Sequence, residues 1–147
     1  MKITVLLADA AQAVGGKLYI LGGGWSVTAA PTPPSAIAIK IDVPWEEANQ
    51  RHRLKCALLD EDARPVVVVT PTGDQPLEIT GDFEVGRPAG IRPGSSIDLA
   101  LAFNIGSLPL HAGRVYVWRF FIDDHTDDAW QLPFATRPGS ATSGREK

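Results

Sequence analysis

The stretch GGKLYILGGGW, residues 15–25, decides the fold. Its glycines either cradle a phosphate or turn a chain of strands. A P-loop needs G-x-x-x-x-G-K-[ST]. Aligned on Gly16-Lys17, that pattern demands glycine at position 11 and Ser or Thr at 18, where the chain has Ala11 and Leu18. The dinucleotide pattern G-x-G-x-x-G, set on Gly22 and Gly24, demands glycine at 27, where Val27 stands. Both motifs also need a helix next, whose N-terminus holds the phosphate. After Gly24 the chain instead runs Trp25-Ser26-Val27-Thr28, a strand-like segment, and then into prolines. The phosphate reading fails on spacing and on context. Gly15-Gly16 suit a hairpin turn with positive φ, and Gly22 to Gly24 suit a sharp corner before Trp25.

Outward from this stretch, apolar residues recur at every second position. Ile3, Val5 and Leu7 point one way. In SAIAIKIDVP (35–44), Ile37, Ile39, Ile41 and Val43 face one side, with Ala36, Ala38, Lys40 and Asp42 on the other. Similar runs are Leu54-x-Cys56-x-Leu58, Val66 to Val69, Leu77 to Val85, Ile97 to Ile105, Tyr116 to Ile122 and Trp130 to Phe134. Period two is the signature of half-buried strands. Pro/Gly-rich and acidic connections between the runs read as turns. A single short helical turn is expected near 44–50, opened by Pro44 and carrying Glu46 and Glu47 at the positive end of its dipole. About eight to ten short strands without intervening helices imply antiparallel pairing. The expected architecture is all-β: a two-sheet antiparallel β-sandwich, immunoglobulin-like, forming one domain over residues 1–138. Residues 139–147 have little to bury and are expected to be a disordered tail.

Composition narrows the function classes. At 147 residues the chain suits one domain with a proper core. Net charge is −3 and Lys/Arg are scattered, so there is no dense basic face for nucleic acid or a lipid surface. The N-terminal apolar run ends at Asp9 and makes a poor signal peptide, and no stretch is long enough to span a membrane. Cys56 is the only cysteine, so no intramolecular disulfide forms. A cytoplasmic location is the default expectation, and richness in Ala, Pro and Arg suggests a bacterial source.

LADAAQAVGGKLYILGGGWS (7–26), IKIDVPWEEANQRHRLKCALLDEDARPV (39–66) and NIGSLPL (104–110) resemble a family of small bacterial proteins known as a domain of unknown function. The pieces that carry the likeness are Leu7-Ala8-Asp9, Gly16-Lys17-Leu18, the Leu59-Asp60-x-Asp62 turn and the strand Ala100 to Ile105. The resemblance implies a stand-alone β domain and brings no activity, cofactor or active-site residue. HAGRVYVWRFFID (111–123) is also similar to the Leu-x-x-Gly-x-Tyr opening of many immunoglobulin-like strands. Here Gly113 lies three residues before Tyr116 rather than two, which a bulge or register shift near Val115 would accommodate.

Candidate sites are few. His52, His111 and His125 have neither nucleophile nor metal spacing and read as solvated loop or strand-end residues. Cys56, between Leu54 and Leu58, reads as a small core hydrophobe. No catalytic constellation and no cofactor is expected. The acidic turns, with Asp60 and Asp62 in one and Asp123, Asp124, Asp127 and Asp128 in the other, could gather oxygen ligands for Ca²⁺ if they shared one end of the sandwich. The competing reading is ordinary solvated hairpins. Trp25 and Trp45 flank breaks in the strand pattern, where they either contact a ligand or plug an open end. The faces opposite the core read Ala36, Ala38, Ala100, Ala102, Val115, Val117 and Phe121. Were these strands neighbours, they would form a low-relief apolar face, which monomers seldom leave in water. The expected function is therefore a non-enzymatic protein-interaction module, engaging a protein partner or a second copy through that face and through edge-strand pairing. The alternative is a small-ligand or calcium-binding module.

Overall fold

The computed structural model describes residues 1–139 and is all-β, with twelve strands and one 3-10 turn. The strands are β1 (Lys2–Ala8), β2 (Ala10–Val14), β3 (Lys17–Leu21), β4 (Val27–Thr28), β5 (Ser35–Val43) and β6 (His52–Leu59). They continue with β7 (Val67–Thr70), β8 (Gly73–Pro76), β9 (Glu78–Phe83), β10 (Ile97–Ile105), β11 (Val115–Ile122) and β12 (Gln131–Thr136). The expected helical turn is shorter than its sequence window and spans Trp45–Glu47. Residues 140–147 of the expected tail lie outside the described residues.

Two large sheets carry the core. One has the order β1-β5-β10, the other β4-β12-β11-β6-β9. Ile3, Leu7, Ile37, Ile39, Ile41 and Val43 of the first join Leu54, Cys56, Leu58, Trp118, Phe120 and Phe134 of the second in one buried cluster. Alternation explains the membership: each of these strands sends every second side chain inward. The central strand β5 is buried on both faces except at Lys40, Asp42 and Ser35.

Pairing is antiparallel with one exception. The two-residue β4 runs parallel to the end of β12, with Val27 beside Ala135 and Thr28 beside Thr136. Parallel neighbours need a long crossover, and here most of the chain separates the two strands. Two small hairpins complete the fold, β2-β3 and β7-β8. Gly15 and Gly16 form the β2-β3 turn with φ of +59° and +77°, a region glycine enters without strain. At the far end of β3, Gly22 (φ +61°) packs against the Asp9 side chain, where a Cβ would collide. The glycines of the opening stretch therefore make a hairpin turn and a crowded corner.

Tyr116 holds the start of β11. Its ring is buried and lies 5.8 Å from that of Phe134. Its hydroxyl accepts a hydrogen bond at 3.0 Å from the His111 backbone N–H, five residues upstream. From Val115 onward β11 pairs with β12 in unbroken register, Val115 opposite Ala135 through Arg119 opposite Gln131, so the expected bulge does not occur within the strand, and Gly113 (φ +70°) lies before it.

Candidate interaction site

The alanine face is not a free surface. Ala36 and Ala38 are 0% and 1% exposed. They pack with Ala8 and Ala11, flanked by Leu6, Leu18 and Ala102. The covering element is the hairpin β2-β3, which folds over the outer face of the β1-β5-β10 sheet, β2 on β5 and β10, and β3 on β10. Small side chains at 36, 38 and 102 let the hairpin lie close. Asn104 fastens it: its Nδ2 donates to the Ala11 carbonyl at 2.9 Å, and its Oδ1 accepts from the Ala11 N–H at 3.4 Å.

Nor do the seven expected face residues share one sheet. Val115, Val117 and Phe121 sit on β11, in the other large sheet. There Val115 is exposed, while Val117 and Phe121 are half-buried. The Lys55 ammonium stands 4.6 Å from the centre of the Phe121 ring and screens it. Ala100 is half-buried on β10, beside Lys40 of β5. Lys40 in turn reaches Asp42 at 2.8 Å and Asp98 at 3.3 Å.

The acidic turns lie at opposite ends, and this corrects the shared-calcium expectation. In the antiparallel β6-β11 pair, Leu59 faces Val117 and Leu54 faces Ile122. Asp60 thus lies beside the start of β11 and Asp123 beside the start of β6, on the order of 20–25 Å apart for strands of this length. Several of these carboxylates are already engaged, within their own turn or by the neighbouring strands. Asp60 Oδ1 accepts from the N–H groups of Asp62 (2.9 Å) and Arg64 (3.0 Å). Asp127 Oδ1 accepts from the Ala129 N–H at 2.8 Å, and Asp128 stands 3.6 Å from Arg119. Asp123 (φ 51°) and Asp124 (φ 66°) occupy the two central positions of a tight hairpin turn, which calls for positive φ at both. No group of three or more potential metal ligands occurs among the described residues.

His52 departs from the solvated reading. It is 4% exposed, stacked on Phe83 with ring centres 5.3 Å apart. Nδ1 donates to Asp123 Oδ2 at 2.7 Å and Nε2 to the Glu47 carbonyl at 2.8 Å. An ionised carboxylate and a carbonyl only accept, so both ring nitrogens carry protons when both bonds form. Burial works against that charge, but the Asp123 carboxylate and the Glu47 carbonyl outweigh it and hold the imidazole above its ordinary 6.5. His52 and the Arg53 N–H hold the Asp123 carboxyl below its ordinary 3.8. The sequence carries no local signal of this junction, because Asp123 is 71 residues from His52. His111 and His125 are exposed, as expected.

Cys56 is fully buried, and burial pushes its thiol up to about 12, far from a reactive thiolate. Both questioned tryptophans are half-buried against the core. Trp25 meets Phe134 edge-on at 6.1 Å, with its Nε1 buried and unpartnered among the described residues. The Arg87 guanidinium lies 4.5 Å over the Trp45 ring and donates to the Trp45 carbonyl at 2.6 Å.

What remains in solvent is apolar surface on the hairpin. Tyr19 is 57% and Leu21 71% exposed, with Val14 and Ile20 also open. The sequence pattern marks this segment as strand but carries no sign that it is surface. With Ala10, Gln12 and Asn104, Tyr19 and Leu21 line a shallow cleft of about 490 Å³. Beside it runs β10, nine residues long and paired only with β5. No backbone group on its outer edge has a partner among the described residues. Leu99, Leu101, Phe103 and Ile105 point into the core from this strand but are only partly covered.

No helix of the described residues is long and apolar enough to cross a membrane. No curated protein and no solved structure matches the chain. Residues 3–135 match the model of a family of unknown function, DUF6941, and the chain belongs to that family.

Proposed function

For this member of a family of unknown function, we propose a non-enzymatic module that acts by protein–protein contact and associates with a second copy of itself. The contact region is the side where hairpin β2-β3 meets the edge of β10. The observation that carries the reading is the exposure there of Tyr19 and Leu21 next to an unpaired nine-residue strand. Exposed apolar clusters mark interaction sites, and an open strand edge is a template for pairing with another chain. We read the two large sheets as the layers of an immunoglobulin-like sandwich. Their common core and the Tyr116 hydroxyl bonded back to the His111 backbone support it. We take the compartment to be a bacterial cytoplasm, in keeping with a single buried cysteine and an Ala-, Pro- and Arg-rich composition.

Light scattering of the purified chain at micromolar concentration tests the reading. The expected mass is twice 15.8 kDa, falling toward one chain when Tyr19 and Leu21 are both replaced by Ser. A mass of 15.8 kDa throughout the micromolar range rejects it.

A further inference from the structure

Resting on the self-association reading, we infer that two copies join by antiparallel pairing of β10 with β10 about a two-fold axis through Leu101. The strand reads Ile97-Asp98-Leu99-Ala100-Leu101-Ala102-Phe103-Asn104-Ile105. Its chemistry is the same in both directions. Laid antiparallel on a copy of itself with Leu101 at the centre, Ile97 faces Ile105, Leu99 faces Phe103 and Ala100 faces Ala102. Asp98 faces Asn104, a hydrogen-bonding pair, instead of a second aspartate. A two-fold interface requires this self-complementarity, since a residue that meets a given position of the other copy is met, from that same position of its own copy, by its symmetry mate.

Placement fits the pairing as well as the pattern. The outer-edge N–H and C=O groups of β10 have no partners among the described residues, so a second strand would supply them. The sheet containing β10 has three strands and the facing sheet five, which leaves Leu99, Leu101, Phe103 and Ile105 partly uncovered at the rim of the core. A paired copy brings its own four apolar side chains to the same side and closes the gap. On the outer side only alanines meet near the axis, so the backbones approach without obstruction. Lys40 already offsets Asp98 at 3.3 Å. Tyr19 and Leu21, which adjoin Asn104, would then stand at the Asp98 end of the other copy's strand, so each exposed hairpin is covered too.

A cysteine scan reads the register directly. The native Cys56 is fully buried and silent to oxidation. Residues directly opposite in an antiparallel pair have Cα atoms about 4.5–5.5 Å apart, inside the range a disulfide spans. Leu101→Cys is therefore expected to cross-link to its own copy on mild oxidation. Leu99→Cys is not, because it sits about 13 Å along the strand from its equivalent. Leu99→Cys combined with Phe103→Cys is expected to cross-link again. Leu101→Glu, which sets two carboxylates on the axis, is expected to convert the dimer to monomer with an unchanged circular-dichroism spectrum. A dimer that fails to cross-link at 101, or that cross-links equally at 99, overturns the β10 pairing and leaves self-association through another surface standing. A chain that is monomeric at all micromolar concentrations overturns both. If Leu101→Glu does not fold, the cysteine scan alone decides.

Discussion

His52 Nδ1 lies 2.7 Å from Asp123 Oδ2, and this bond ties the start of β6 to the turn after β11. The same imidazole bonds the Glu47 carbonyl, so three segments of the chain meet at one ring. Asp123 Oδ1 adds a bond from the Arg53 N–H at 2.9 Å. The junction closes one end of the β6-β11 pair.

The pair gives stability a defined pH window. His52 is held above its ordinary value of 6.5, so its contribution is complete below that value and is lost as pH rises through the raised one. Asp123 is held below 3.8, so its contribution is complete above that value and is lost as pH falls through the lowered one. Melting temperature should therefore be highest between the two and decline on the alkaline side above 6.5. Asp123→Asn should cost about 1–2 kcal/mol near neutral pH and flatten the alkaline decline, as read by urea denaturation across pH. An unaltered pH profile in the variant would sink this assignment.

Calcium should leave the protein unchanged. The two acidic turns sit at opposite ends of β6-β11; Asp60 and Asp127 cap their own turns, and Asp123 is held by His52 and the Arg53 N–H. A ligand that binds only the folded state must raise the melting temperature. Thermal denaturation with millimolar Ca²⁺ is expected to superimpose on the curve with chelator. A rise of several degrees would mean that one turn alone can gather the ligands.

Asn104→Ala should loosen the hairpin without unfolding the sheets. It removes both bonds to the Ala11 backbone and leaves that partly covered backbone short of partners. The expected loss is about 1 kcal/mol in the local stability of the hairpin against opening. Hydrogen exchange should quicken across Ala10–Leu21 and stay constant in β6 and β11. Uniform quickening everywhere would show that the clip is not local.

Phe120→Ala should be among the most damaging single changes. Phe120 is 0% exposed at the middle of β11 and packs in the shared core. Loss of a buried phenyl typically costs about 3–5 kcal/mol. Guanidinium unfolding measures it, and a loss below about 1 kcal/mol would contradict a core common to both sheets.

The sequence is legible wherever branched and aromatic residues alternate. Ile37, Ile39 and Ile41 locate β5, and Leu99, Leu101 and Phe103 locate β10, because those side chains have few other ways to be buried. It is silent at β2, where Ala10-Ala11-Gln12-Ala13 has no contrast between faces, and at β8, where Gly73-Asp74-Gln75-Pro76 reads as a turn. Alanines at 36 and 38 suggest an open face by pattern alone. Smallness there serves close approach of a hairpin, and only the tertiary structure distinguishes the two uses. The separation of the acidic turns and the His52–Asp123 bond both follow from the register of β6 on β11, which no local pattern encodes.

The most direct test is amide hydrogen exchange along Ile97–Ile105 at low and at high micromolar protein. Pairing between copies predicts that exchange in this strand slows as concentration rises, while β6 and β12 remain unaffected. Exchange in β10 that is fast and independent of concentration would contradict the account.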